Sequence, residues 1–162
     1  MLQEVSLRTV GIVRTSASDD DVRTRKPDVK STVEIFPEFE DALEGLDGFS
    51  HIFVVGYFHR LRSEQIGPLK VKPRGLLHEG FKLEELPLIG VFALDSPTRP
   101  NPIGLSLARL IKREGTRLEV ANLDFFDGTP VLDIKPYQVG YRVDRYETPQ
   151  WHTKLVQRVG HV

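Results

Sequence analysis

The sequence predicts an all-β protein, a small single-sheet β-barrel with one short helix and long loops. Three observations carry that prediction: seven segments with strand patterning, one internal stretch with helical spacing, and breaks rich in Gly, Pro and Asp between them. No internal repeat or low-complexity segment competes with it.

The elements follow in chain order. Residues 4–15, EVSLRTVGIVRT, carry β-branched residues in rough alternation and read as a strand. Residues 16–28, SASDDDVRTRKPD, are polar with a proline and read as a loop. KSTVEIF at 30–36 is a short strand. PEFEDALEGL at 37–46 places Pro37 at a helix start, acids in the first turn, and Phe39, Leu43 and Leu46 four and three residues apart, the pattern of an amphipathic helix. FSHIFVVGYFH at 49–59 is a buried strand by its aromatic and β-branched content. Residues 60–86 are mixed, with a Lys-Arg-Pro stretch at 70–75 and several turn signals. PLIGVFAL (87–94), IGLSLARLIKR (103–113), TRLEVANLDFF (116–126) and TPVLDIK (129–135) read as four more strands, and the end, 149–162, as a short helix. Residues 1–140 are thus expected to form the barrel domain and 141–162 a C-terminal extension packed on the barrel or on a dimer partner.

Composition narrows the function. The chain has 162 residues, enough to bury a core, and a net charge of −1, so no global basic character marks a nucleic-acid binder. With no cysteine there is no disulfide, thiolate nucleophile or Cys-ligated zinc. No apolar run is long enough to span a bilayer, and MLQEVSLRTV lacks the charged start and apolar run of a signal peptide, so a cytoplasmic location and no membrane partner are expected.

The stretch RPNPIG at 99–104 is built for rigidity. Arg99 and Asn101 each precede a proline and are pushed towards extended backbone, while the prolines fix φ and lack N–H groups. A preset rod loses less entropy on gripping a ligand. Arg99 offers a forked cation, Asn101 a donor and an acceptor, and Gly104 permits close backbone approach. The plainer reading is a structural loop with Arg99 paired to Asp95. A second stretch, DFFDGTPVLDIKPY at 124–137, turns at Asp127-Gly128 and leaves through Thr129-Pro130 in extended form. Regular strand alternation puts Val131, Asp133 and Lys135 on one face and Leu132 and Ile134 on the other. An acid and a base on one face beside Tyr137 suit proton transfer, and equally suit a structural ion pair.

FSHIFVVGYFH, RPNPIGLS and DGTPVLDIKPY, preceded by VGIVRT and LEGLDGFSH, occur in one order that resembles the TsaA-like family, also called YaeB or TrmO, from about Thr9 to Tyr137. That resemblance implies a small β-barrel that binds S-adenosylmethionine, a homodimer, and methylation of the exocyclic nitrogen of a threonylcarbamoyl-bearing adenosine beside the anticodon of tRNA. It places the cofactor near His59 and Arg60, near Arg99, Asn101 and Leu105, and at the turn Asp127, Gly128, Thr129 and Pro130. It places Asp133, Lys135 and Tyr137 beside the methyl-transfer site, as groups that orient or deprotonate the acceptor. Two departures stand out. FALDSPTRPNPIG has Leu94 and Asp95 where the family usually has Thr and Arg, so Asp95 either meets a cationic or hydroxyl group of the cofactor or pairs with Arg99. RTRKPDV at 23–29 lacks the Gln and Pro-Gly of the family's N-terminal loop. Phosphate contacts to a tRNA would come from Arg23, Arg25 and Lys26, from Lys70, Lys72 and Arg74, or from Arg142 and Arg145.

Three other readings differ in class. A metal hydrolase is disfavoured, because His51 and His59 would lie roughly 26 Å apart along a strand and His78, His152 and His161 lack ligand spacing, so no metal is expected. A TsaA-like module that binds S-adenosylmethionine or a nucleotide as a sensor would make no S-adenosylhomocysteine. A dimeric scaffold would use Phe49, Phe53, Tyr57, Phe58, Phe125 and Phe126 as core and interface rather than as stacking platforms.

Overall fold

The computed structural model describes residues 3–24 and 29–159. Six strands close into a barrel: β1 (Gly11–Arg14), β2 (Lys30–Ile35), β3 (His51–Tyr57), β6 (Ile103–Glu114), β7 (Arg117–Ala121) and β8 (Pro130–Pro136). Their order around the barrel is β1-β2-β7-β6-β3-β8, and every neighbouring pair is antiparallel. A separate ribbon pairs β4 (Lys70–Val71) with β5 (Ile89–Gly90).

The alternation read from the sequence is the alternation of the barrel wall. Ser31, Val33 and Ile35 of β2 face inward, as do Ile52 and Val54 of β3 and Ser106 and Ala108 of β6. With Val13, Leu118, Val120 and Val131 these residues make the core, closed at one end by Phe125 and at the other by Leu43 and Leu46. The long strand β6 serves two neighbours. Its first half pairs with β3 and its second half with β7, and Ile111 is skipped between Leu110 and Lys112 in the β7 register.

Several expected elements shrink or change type. Of 4–15 only Gly11–Arg14 pairs as a strand. Within 16–28, Asp19–Arg23 forms one helical turn, α1, because Ser18 Oγ accepts from Asp21 N and three aspartates stand at its positive end. Residues 25–28 lie outside the described residues. The stretch Pro37–Leu43 winds as a 3₁₀ helix rather than an α-helix, with Leu43 buried and Phe39 packed on the core as the spacing required. The 87–94 strand does not form: Ile89–Gly90 pair briefly with β4, then Val91–Ala93 turn as 3₁₀, leaving Leu88 and Phe92 exposed. Its apolar run follows Pro87, which has no ladder donor, and meets no long partner strand. The 116–126 strand stops at Ala121, since Asn122 adopts φ 62° and turns the chain across the barrel end. The terminal helix α2 spans Gln150–Val159, and its Arg158 reaches Glu85 at 3.1 Å and the Phe81 ring at 4.3 Å.

The expected common face of Val131, Asp133 and Lys135 is also corrected. Val55 stands opposite Asp133 but Gly56 opposite Val131, so Leu132 is an extra residue in a bulge. The bulge sends Val131 into the core and leaves Asp133 and Lys135 on the outer surface.

Candidate functional site

Antiparallel pairing brings the two unusual motifs to one barrel end. The C-terminal end of β3, the N-terminal end of β6 and the N-terminal end of β8 coincide there, because Gly56 stands opposite both Gly104 and Val131. Residues 122–129 leave β7 and cross this end to reach β8 on the far side of the barrel.

Phe125 is the keystone of the crossing. Its ring is buried and lies over the paired glycines: a Cβ on Gly56 would come within 2.7 Å of Phe125 Cε2, and one on Gly104 within 2.7 Å of Phe125 Cε1 and 2.6 Å of Phe58 Cζ. The glycines of VVGYF and NPIGL are therefore bare so that two edge-to-face rings, 5.9 Å apart, can seat against the barrel wall. These rings form part of the wall of a cleft of about 370 Å³. That volume lies in the range of small-molecule sites, roughly 300–1,000 Å³.

RPNPIG forms the adjoining wall: Arg99, Pro100, Asn101, Ile103 and Gly104 line the cleft, and Leu105 after them does too. Its rod is pinned at both ends. Phe58 N donates to the Pro102 carbonyl at 2.8 Å, and Arg99 Nη1 donates to the carbonyls of Leu94 and Ser96 at 3.2 Å each. Arg99 thus fastens its own loop, and the alternative of an Arg99–Asp95 pair does not occur. Asp95 lines the cleft, stays exposed and forms no ion pair among the described residues. The strand readings of 87–94 and 116–126 hid Phe92, Asp124 and Phe125 as lining residues.

His59, Arg60, Asp127, Gly128, Thr129 and Pro130 do not line that cleft but build the shoulder beside it. Arg60 Nη1 contacts both carboxylate oxygens of Asp19 at 3.0 Å, and Nη2 donates to the Asp127 carbonyl at 2.8 Å. Its guanidinium also lies 5.5 Å from the Phe126 ring centre, as does that of Arg23. Arg60 therefore locks α1, the crossing and the end of β3 together. Asp127 Oδ1 accepts from Thr15 N at 3.0 Å, and Gly128, at φ 80°, donates to the Val13 carbonyl at 2.9 Å. Thr129 is buried, with its carbonyl accepting from Val13 N. Pro130 opens β8 opposite Ile12. The His59 ring lies against Gly128, where an added Cβ would sit 3.5 Å from Nε2. Burial, reinforced by the Arg60 charge, holds the imidazole below its ordinary range, with Asp127 pulling the other way.

Asp133, Lys135 and Tyr137 run away from this end along the outside of the barrel. Lys135 Nζ and Asp133 Oδ2 pair at 3.0 Å, and the carboxylate beside it holds the ammonium above its ordinary range. A lysine so held keeps its proton and serves as a fixed charge and hydrogen-bond donor, not a base. Tyr137 is at the far end, its N donating to the His51 carbonyl at 3.0 Å. Its ring joins Phe53, at 5.8 Å, and Tyr141, at 6.2 Å, in a surface aromatic cluster. The other aromatics divide between core and surface: Phe125 is in the core and Phe58 packs against it, whereas Tyr57 and Phe49 are exposed.

Comparison with known proteins fits this geometry. The family description tRNA-methyltransferase O N-terminal domain matches residues 22–143, across five of the six barrel strands and the whole cleft. The chain belongs to the TrmO family. It is 42% identical over 137 residues to a probable S-adenosyl-L-methionine-binding protein of Methanothermobacter thermautotrophicus, covering 83% of this chain and 90% of that one. It is 41% identical over 122 residues to a mouse tRNA (adenine(37)-N6)-methyltransferase, covering 75% of this chain and 25% of that one. A TrmO crystal structure from Pseudomonas aeruginosa superposes with a TM-score of 0.69 at 29% identity, covering 93% of this chain and 62% of that one. The chain thus spans nearly all of the archaeal relative, a quarter of the mouse enzyme and under two thirds of the solved TrmO structure.

Proposed function

We propose that this TrmO chain is an S-adenosylmethionine-dependent methyltransferase whose cofactor occupies the RPNPIG cleft. The observation that carries the reading is the donor set of that cleft. Among the described residues, two carboxylates, Asp95 and Asp124, one amide, Asn101, and three aromatic rings, Phe58, Phe92 and Phe125, line it, while the Arg99 guanidinium is turned onto its own loop. Carboxylates suit the ammonium and sulfonium charges and the ribose hydroxyls of such a cofactor, and aromatic faces suit its adenine. When bound, S-adenosylmethionine supplies an electrophilic methyl group.

The chain's own residues then supply order and exclusion. The proline rod fixes Asn101 before ligand arrives, Phe125 and Phe58 keep water from one wall, and Arg60 holds the Asp127-Gly128 turn on the shoulder. The acceptor we propose is the exocyclic nitrogen of a threonylcarbamoyl-bearing adenosine in tRNA. Asp133 and Lys135, nearer the cleft end of β8, would orient it, with Lys135 as a cation, while Tyr137 at the opposite barrel end would not reach an acceptor in the cleft of its own chain. The protein would act as a cytoplasmic homodimer through the outer face of β6, β3 and β8, where Leu105, Leu107 and Tyr57 are exposed around the Phe53 cluster. Residues 141–162 would form an extension to the 1–140 barrel domain. Basic side chains at Lys70, Lys72, Arg74, Arg142 and Arg145 would meet phosphates.

The test is transfer of a labelled methyl group from S-adenosylmethionine to tRNA with and without the threonylcarbamoyl modification. Label in the modified tRNA alone is the expected result. Cofactor binding with no label in either tRNA would favour the sensor reading, for which Asp95 is the motivating departure.

A further inference from the structure

Between β3 and β6 the chain leaves the barrel for a lobe, residues 60–98. Its ribbon of β4 and β5 joins no barrel strand, and its other regular pieces are short 3₁₀ turns, among them Arg74–Glu79 and Leu83–Glu85. Phe81, Leu86 and Val91 are buried, yet none of them belongs to the barrel core. The lobe therefore rests on a small core of its own, which turns of this length cannot shield unaided. Its far end matters to the site, because Phe92 and Asp95 line the cleft.

Helix α2 lies against this lobe. Trp151, His152, Leu155, Val156 and Val159 are half-buried and spaced as one helical stripe, while Gln150, Lys154 and Gln157 are exposed. At the edge of the stripe the Arg158 guanidinium stands 4.3 Å from the Phe81 ring centre, and its Nη1 lies 3.1 Å from Glu85 Oε1. The other Glu85 oxygen accepts from Lys82 N at 2.7 Å and closes the Leu83–Glu85 turn. One carboxylate thus ties the helix to the turn that precedes β5. Beyond it, Val91 N donates to the Leu69 carbonyl at 3.0 Å and Leu94 N to the Val91 carbonyl at 3.3 Å, which carries the tie to the lip of the cleft.

The attachment is light. No α2 residue is buried as a whole, and His152 Nδ1 is covered without a hydrogen-bond partner. The Arg158–Glu85 pair is solvent-exposed, where an ion pair contributes little. An element held in this way opens at low cost. We propose that α2 is a clasp on the 60–98 lobe and that Arg158 is a positioning residue, setting Phe92 and Asp95 at the cleft mouth through Phe81 and Glu85. With the clasp closed the lip is ordered before ligand arrives. With it open the lip must be ordered on binding, and affinity falls. Only this last step, from lip to cofactor, rests on the methyltransferase reading.

The test is amide hydrogen exchange on the full chain without ligand, for wild type, Arg158→Glu and Arg158→Lys. Arg158→Glu sets two carboxylates together and should speed exchange of the Leu86, Val91 and Leu94 amides about fivefold or more, while the amides of β2 and β7 keep their protection. Arg158→Lys keeps the charge and the cation–ring contact, so its exchange should stay close to that of wild type. Unchanged lobe exchange in Arg158→Glu, or faster exchange spread equally over the barrel, overturns the clasp. Calorimetry with S-adenosylmethionine reads the last step, and Arg158→Glu should bind about threefold to tenfold more weakly than wild type. Equal affinity in the two overturns the positioning role. Failure of the wild-type chain to bind removes the cofactor reading alone, because the exchange result judges the clasp without ligand.

Discussion

Two residues show how local chemistry shapes this site. Gly104 is fixed by space rather than by backbone freedom, because two phenyl rings occupy the position of its missing side chain. Gly104→Ala should push Phe125 and Phe58 off their seats and cost about 1–3 kcal/mol, the usual range for overpacking. Thermal melting would register the loss, and cofactor affinity should fall with it. An unchanged melting temperature would mean that the rings yield freely. His59 makes a statement about pH. Its folded value is depressed by burial and by Arg60, so the unfolded chain binds the proton more readily. Stability from the neutral ring is present above the ordinary histidine range and is lost as pH falls through the depressed folded value. His59→Asn should flatten the acid limb of a stability-against-pH curve while leaving the neutral region alone.

At the scale of elements, the sequence was informative where physics is local. The alternation of β2, β3 and β6 and the spacing of Phe39, Leu43 and Leu46 follow from side-chain periodicity alone. The rigidity of RPNPIG follows from its two prolines, and the turn at Asp127-Gly128 from its residue types. What escaped was set by distant partners. The bulge at Leu132 exists because β8 must satisfy β3 at two registers, and nothing within TPVLDIK announces it. The 87–94 run has strand composition but lacks a strand to pair with. Asn122 ends β7 through a left-handed backbone that the flanking apolar residues concealed, and with it were hidden Asp124 and Phe125. The bulge has a functional consequence, since it turns Asp133 and Lys135 outward as a pair. Asp133→Asn should leave the melting temperature unchanged, because the pair is exposed, and should return the Lys135 ammonium towards its ordinary range. Under the proposed role it should lower kcat more than it changes cofactor affinity. Equal losses in both would point to a structural defect instead.

On the scale of the whole molecule, the closed barrel removes sheet edges and leaves its outer face as the surface available for assembly. That face carries Leu105 at 66% and Leu107 at 44% exposure, beside Tyr57 and the Phe53–Tyr141 contact at 4.9 Å. Leu107→Glu lies away from the cleft lining and should convert the proposed dimer to a monomer in sedimentation without lowering the melting temperature of the protomer. A wild-type monomer would contradict the assembly, and a dimer that survives the substitution would place it on another face.

The claim on which the rest depends is that the RPNPIG cleft holds S-adenosylmethionine. Calorimetric titration of the chain with that molecule, beside Asn101→Ala, tests it most directly. The expected result is one site of micromolar affinity, near −8 kcal/mol, weakened about tenfold or more in the variant. Binding that Asn101→Ala leaves intact would remove the cofactor from this cleft, and no binding by the wild-type chain would contradict the account.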